Sequence, residues 1–342
     1  MLVASIAILG GVVWWVGPGE TLQALHRAGP VAFIGVGVVS LVVMLLQGAA
    51  WSRLNRPIGH RIPYRTLVSA STVGHAVNIV TPSSYLGGEA VRVLYAQRRT
   101  GLSLHELAGT ILLVKYLEAL SFALLFAVCT ASTAIYFRGT LFAEPYTPVG
   151  VSIMIAAGFF CGACILLWVA LYREWMPLTA LVFRLCRWWS RSRLMRRLSQ
   201  RTRDMEQQVH RVFAQEKAVA SGSFGLLFLT HVSMFLRPAV FFTFGPYAGL
   251  DYGELALIFV ATQALLAVQV TPSGVGTLDG GMLAVFALVD QSVTACMAYL
   301  LCLRFWDGVI IAIGMWLATR AGADLLENPS AAMQEQEPDQ NP

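Results

Sequence analysis

Nearly charge-free apolar runs of about 20 residues constrain this chain most, because a helix of that length spans the roughly 30 Å hydrocarbon core of a bilayer. Such runs lie near 2–17, 30–52, 108–136, 148–172, 218–244 and 294–318. The expectation is an all-α polytopic membrane protein with about six transmembrane helices. Composition agrees: 56% of the residues are hydrophobic and only 13% charged, against about 25% charged in an ordinary soluble domain. That excludes the soluble domains, about two, that 342 residues would otherwise suggest. The opening stretch has no basic n-region and no small-residue cleavage site, so it reads as a first span and not as a removed signal peptide.

Two further apolar stretches, 66–97 and 254–290, are interrupted at Thr81-Pro82-Ser83 and Thr271-Pro272-Ser273, each followed by glycines. A smooth helix does not pass through such sequences, since proline removes an amide donor and clashes with the preceding turn. Charge sets their sidedness. Arg53, Arg56, Arg61 and Arg65 precede the first broken stretch, and Arg92, Arg98 and Arg99 follow its break. Basic loops stay in the cytoplasm, so that stretch enters and leaves on one side. Residues 173–217 hold eleven Lys/Arg against four acids, whereas 238–303 contain no Lys, Arg or His. The second broken stretch therefore opens outward. Both are expected to be re-entrant helical hairpins lining an internal site, because broken backbone at membrane depth is tolerated only beside protein or a water-filled cavity. The same charges place both termini in the cytoplasm, in a bacterial cytoplasmic (inner) membrane.

The chain also repeats itself. A shift of 190 residues aligns 30–83 with 220–273 without a gap, and 12 of the 54 positions are identical, including the tetrapeptide Val80-Thr81-Pro82-Ser83 with Val270-Thr271-Pro272-Ser273. With one inserted residue downstream, Lys115 and Glu118 line up with Arg304 and Asp307. The opening spans of the two units run in opposite senses under the charge-based topology, so the repeats, about 30–136 and 220–318, are inverted. Inverted repeats with discontinuous helices recur in secondary transporters, where the breaks meet near mid-membrane. The domain expectation is a single integral membrane domain over 1–322, its halves joined by a basic amphipathic cytoplasmic segment at 184–217. Residues 323–342 read as a disordered, acidic cytoplasmic tail.

Charges at bilayer depth cost several kcal/mol unless paired or hydrated, so each is a candidate for function. Lys115 with Glu118 and Arg304 with Asp307 stand at i, i+3 spacing on one helical face. They are read either as buried pairs that fix packing or as headgroup ligands. Arg237 stands alone beside Pro238, its repeat counterpart is Gln47, and Asp307, Asp279 or a lipid phosphate are its candidate partners. Glu89 and Arg92 follow the first break as an interfacial pair, and Asp279 follows the second with no neighbouring base. With Thr81, Pro82, Ser83, Thr271, Pro272 and Ser273, these residues form the candidate substrate site. His75 and His231 read as hydrogen-bonded core residues.

Other chemistries find no support in the sequence. The six cysteines lie in or beside apolar segments and read as reduced core residues. The net charge of +5 is concentrated between apolar runs, which encodes topology and not nucleic-acid binding. No HExxH, GxSxG, GxxxxGK[ST] or paired-carboxylate metal spacing occurs. No cofactor, no metal and no enzymatic activity are expected.

The segments TPSSYLGGEAVRVLYAQRRTGLS, LLVKYLEAL and VQVTPSGVGTLDGGM resemble the lysylphosphatidylglycerol-synthase transmembrane region, a flippase-like membrane family, over about 20–320. The family pattern falls on Pro82, Gly88, Glu89 and Arg92, then on Pro272, Gly274, Gly276 and Asp279. GGEAVR looks most like the hopanoid-biosynthesis-associated branch. The chain departs from the pattern at Lys115, where the family often carries Arg, and in the spacing of Asp279. The resemblance implies a lipid transporter that binds a polar or anionic headgroup, aminoacylated or isoprenoid/hopanoid in type, and moves it between leaflets. In the multiple peptide resistance factors a similar region accompanies a soluble domain that makes the lipid, whereas here a short acidic tail follows the last span. The rival readings are a non-transporting accessory of lipid-biosynthesis enzymes and, third, a membrane enzyme acting on a lipid-linked substrate.

Overall fold

The computed structural model describes residues 18–58, 62–81, 87–141, 147–173, 215–247, 249–267 and 276–327, with residues 184, 200, 203, 207 and 274. The expected first span at 2–17, most of the basic segment 184–217, and Pro82, Ser83, Thr271, Pro272 and Ser273 lie outside the described residues.

Among the described residues every long element is helical. They are α1 (Pro18–Asn55), α2 (Tyr64–Val80), α3 (Gly87–Thr100), α4 (Leu104–Tyr136), α5 (Thr147–Tyr172), α6 (Lys217–Phe244), α7 (Tyr252–Ala267), α8 (Thr277–Leu288) and α9 (Val293–Glu327). Four stretches, His26–Asn55, Glu106–Tyr136, Lys217–Phe244 and Val293–Ala321, are long and apolar enough to cross a membrane. α5 is a further 26-residue helix without a charged residue.

Local sequence sets the boundaries. α1 begins before its expected span and kinks where Gly29 adopts φ 77° ahead of Pro30. Ser103 caps α4, its hydroxyl accepting from the Glu106 amide at 3.3 Å while donating to that carboxylate at 2.7 Å, as serine does at a helix start. α9 continues to Glu327, five residues into the expected tail, because Ala-Asp-Leu-Leu-Glu holds good helix formers. α2 ends at Val80 with Thr81 extended as its C-cap, at the start of the first expected break, and Gly276, with φ 88°, directly precedes α8 after the second.

Helices α1–α4 fall in the first sequence unit and α6–α9 in the second, and α2 packs on α3, as α7 packs on α8, in a helical hairpin. In the first, Asn78 Oδ1 accepts from the Gly88 amide at 2.7 Å, and Gly88 meets the Gly74 carbonyl so closely that a Cβ would not fit. In the second, Thr262 Oγ1 lies 3.4 Å from Met282 Sδ, and Leu265 covers Gly281. α1 and α6 pack antiparallel: Gly35 faces Val240 near one end, and the Arg53 guanidinium reaches the Ala218 carbonyl at 3.4 Å near the other. The first helices of the two units thus run in opposite directions. The last helix of each unit packs against the opposite unit's first hairpin helix, α4 on α7 and α9 on α2.

The helices are apolar on outward and inward faces alike, as expected for membrane spans. On α1, Val31, Ile34, Val38, Leu41 and Leu45 are exposed while Ala28, Ala32, Val36 and Val43 are buried. The protein is an all-helical integral membrane protein. Its buried core falls into an end around Trp51, Leu67 and Leu117, an end around Phe241, Phe242 and Phe286, and a ring cluster around Phe126, Phe235 and Phe259.

Candidate functional site

A cavity of about 490 Å³ opens between the two units, with walls from both hairpins and from α1, α4, α6 and α9. Four cations, Arg92, Lys115, Arg237 and Arg304, and three carboxylates, Glu89, Glu118 and Asp307, line it.

The first unit supplies one cluster. α3 begins with Gly-Gly-Glu, which places Glu89 in its first turn, where the helix dipole favours a carboxylate. Lys115 reaches across from α4 to Glu89 Oε1 at 2.7 Å and meets Glu118 Oε2, one turn along its own helix, at 2.8 Å. The second unit repeats the arrangement. Asp279 stands in the first turn of α8, accepting from the Gly276 amide at 3.0 Å. Arg304 of α9 donates to both Asp279 oxygens at 3.0 and 3.2 Å and lies 3.8 Å from Asp307. Each cluster is a carboxylate, a cation and a carboxylate, tying a hairpin to the last helix of its own unit.

Several sequence expectations change. Asp279 does have a neighbouring base, Arg304, which the fold brings from 25 residues downstream; it is also fully buried and stands behind that arginine, off the cavity wall. Glu89 and Arg92 are paired at 3.6 Å, but not at a wet interface. Arg92 is 3% exposed, with its guanidinium 4.6 Å above the Trp51 ring. Trp51 is fully buried and donates from Nε1 to Thr110 at 2.9 Å. Thr81 caps α2 through its hydroxyl, 2.8 Å from the Val77 carbonyl, and is not on the cavity wall. Arg237 faces the cavity, and among the described residues its buried Nε has no hydrogen-bond partner.

His231 is held as a core histidine, Nδ1 lying 2.9 Å from the Leu227 carbonyl and 3.1 Å from Ser121 Oγ, while its ring borders the cavity. The described cysteines 129, 161, 296 and 302 are free. Asn78 and Trp51 escape the sequence reading. The first left a trace, an amide in an apolar helix; the second left none, because a tryptophan beneath a distant arginine is a tertiary fact.

The arrangement presents fixed opposite charges inside an apolar body, a place for a polar group whose remainder is apolar. Comparison with known proteins agrees with the membrane assignment. A curated UPF0104 membrane protein of Methanothermobacter thermautotrophicus is 24% identical over 335 residues, covering 96% of each chain. The family model for the lysylphosphatidylglycerol synthase TM region matches residues 2–314. With the resemblance in its motifs thus extended over nearly the whole chain, this protein belongs to the lysylphosphatidylglycerol synthase transmembrane-region family.

Proposed function

We propose that the protein is a lipid transporter that takes a polar or anionic headgroup into the cavity between its antiparallel units and carries it between leaflets while the tail stays in lipid. One observation carries this reading: matching charged clusters, one from each unit, converge on one cavity. In hydrocarbon such clusters are costly, and a cavity between inverted units is the place where alternating access puts a substrate. The hairpins are re-entrant in this reading, entering from opposite faces, with both termini on the cytoplasmic side of the cell membrane. The cations set the field that draws the headgroup in, and Glu89, Glu118 and Asp307 balance them.

Purified protein reconstituted into liposomes with headgroup-labelled phospholipid is expected to speed leaflet exchange over protein-free liposomes. Consumption of the lipid would make the protein an enzyme. Neither exchange nor consumption would leave it an accessory of lipid-biosynthesis enzymes.

A further inference from the structure

We propose that Arg92 and Arg237 are the phosphate receptor of this cavity, while the two carboxylate–cation–carboxylate clusters hold the helices. The inference rests on the headgroup-binding reading above and names the chemical group recognised: a phosphate ester on an apolar anchor.

The repeat separates the two roles. Continued past residue 83, the 190-residue shift pairs Glu89 with Asp279, and the clusters pair throughout, Lys115 with Arg304 and Glu118 with Asp307. These charges are duplicated and mutually engaged in both units. What both units need is the bracing of hairpin against last helix. Arg92 and Arg237 are not duplicated: the same shift places Met282 opposite Arg92 and Gln47 opposite Arg237. Packing of the repeat therefore does not require them.

Their donors are also unengaged. Glu89 and the Trp51 ring hold Arg92 on one side, leaving Nε and Nη2 buried without a partner among the described residues, as is Nε of Arg237. Buried donors are almost always satisfied, by protein, water or ligand. Both arginines line the same cavity, as does His75. With Asp279 counted behind Arg304, the four cations of the wall are matched by four carboxylates, so the attraction lies in the unengaged arginine donors and not in net charge. A planar guanidinium donates two parallel bonds to a phosphate, which an ammonium does not. Phe122, Phe235 and Phe259 also line the cavity, Phe259 touching each of the other two rings, and offer an apolar surface for the atoms next to the phosphate.

The test uses the full chain in detergent, titrated calorimetrically with dihexanoylphosphatidic acid, with dihexanoylglycerol as the same tails without phosphate, and with inorganic phosphate. The phosphatidic acid is expected to bind at least about tenfold more tightly than dihexanoylglycerol. Arg237→Gln and Arg92→Met, which install the residues of the opposite unit, are each expected to weaken phosphatidic acid binding by about tenfold or more. Arg237→Lys is expected to fall between, and Arg53→Gln, at the end of α1, to bind as wild type. Should Arg92→Met fail to fold, Arg237→Gln alone decides. Equal binding of the two lipids, or full affinity in both arginine variants, overturns the proposal. Inorganic phosphate binding as tightly as the lipid supports the arginine site and assigns it to free phosphate, against the headgroup reading. Phosphate-selective binding without leaflet exchange sinks the transport reading alone, and equal exchange of phospholipid and phosphate-free lipid sinks the receptor alone.

Discussion

Asp279→Ala is expected to destabilise the protein by about 3–5 kcal/mol, the cost of removing one partner from a buried ion pair. The carboxylate is fully buried and accepts three hydrogen bonds, two from Arg304 and one from the Gly276 amide. Without it Arg304 keeps Asp307 at 3.8 Å, and α8 loses the side chain that closes its first turn. Chemical unfolding in detergent reads the loss. The physical account makes a second demand. Replacing both partners of a buried pair by apolar residues is often neutral, so Asp279→Ala with Arg304→Met should recover most of the stability. A double variant as unstable as the single one would show that the pair does more than brace α8 against α9.

Lys115→Met is the second large effect. Lys115 is the shared cation of Glu89 and Glu118, at 2.7 and 2.8 Å, and its removal takes from Glu118 its ion-pair partner and leaves Glu89 with Arg92 alone, at 3.6 Å. The expected outcome is a loss of stability of about 3–5 kcal/mol together with loss of leaflet exchange. Lys115→Arg, which copies the cation at the equivalent position of the second unit, is expected to retain both. Unfolding in detergent and exchange in liposomes, measured on the same preparations, check the pair of variants.

Four long spans were legible because the bilayer imposes length and apolarity on any span, and the end of α2 at Val80 because the proline that follows shortly after it acts locally. Within each cluster, the i, i+3 pairs Lys115–Glu118 and Arg304–Asp307 were legible for the same reason, being set by helix geometry alone. The bonds Lys115–Glu89 and Arg304–Asp279 cross from one helix to another, and local spacing does not carry them. A trace was nonetheless present: continuing the 190-residue shift six positions beyond Pro82-Ser83 sets Glu89 against Asp279. Once Lys115 is matched to Arg304, equivalent acids beside equivalent cations follow. The burial of Arg92 was not legible. Its neighbours Arg98 and Arg99 end the same helix in a basic turn, and only the packing of Trp51 beneath the guanidinium separates it from them.

Everything in this account requires the headgroup of a membrane lipid to enter the cavity between the two units. A photoreactive residue at Gln47, on the cavity wall, compared with one at Val38, 53% exposed on the outer face of the same helix, tests this in membranes carrying headgroup-labelled phospholipid. The account predicts that the label is captured at Gln47 and that Arg237→Gln reduces that capture. Capture at Val38 with none at Gln47 would contradict it.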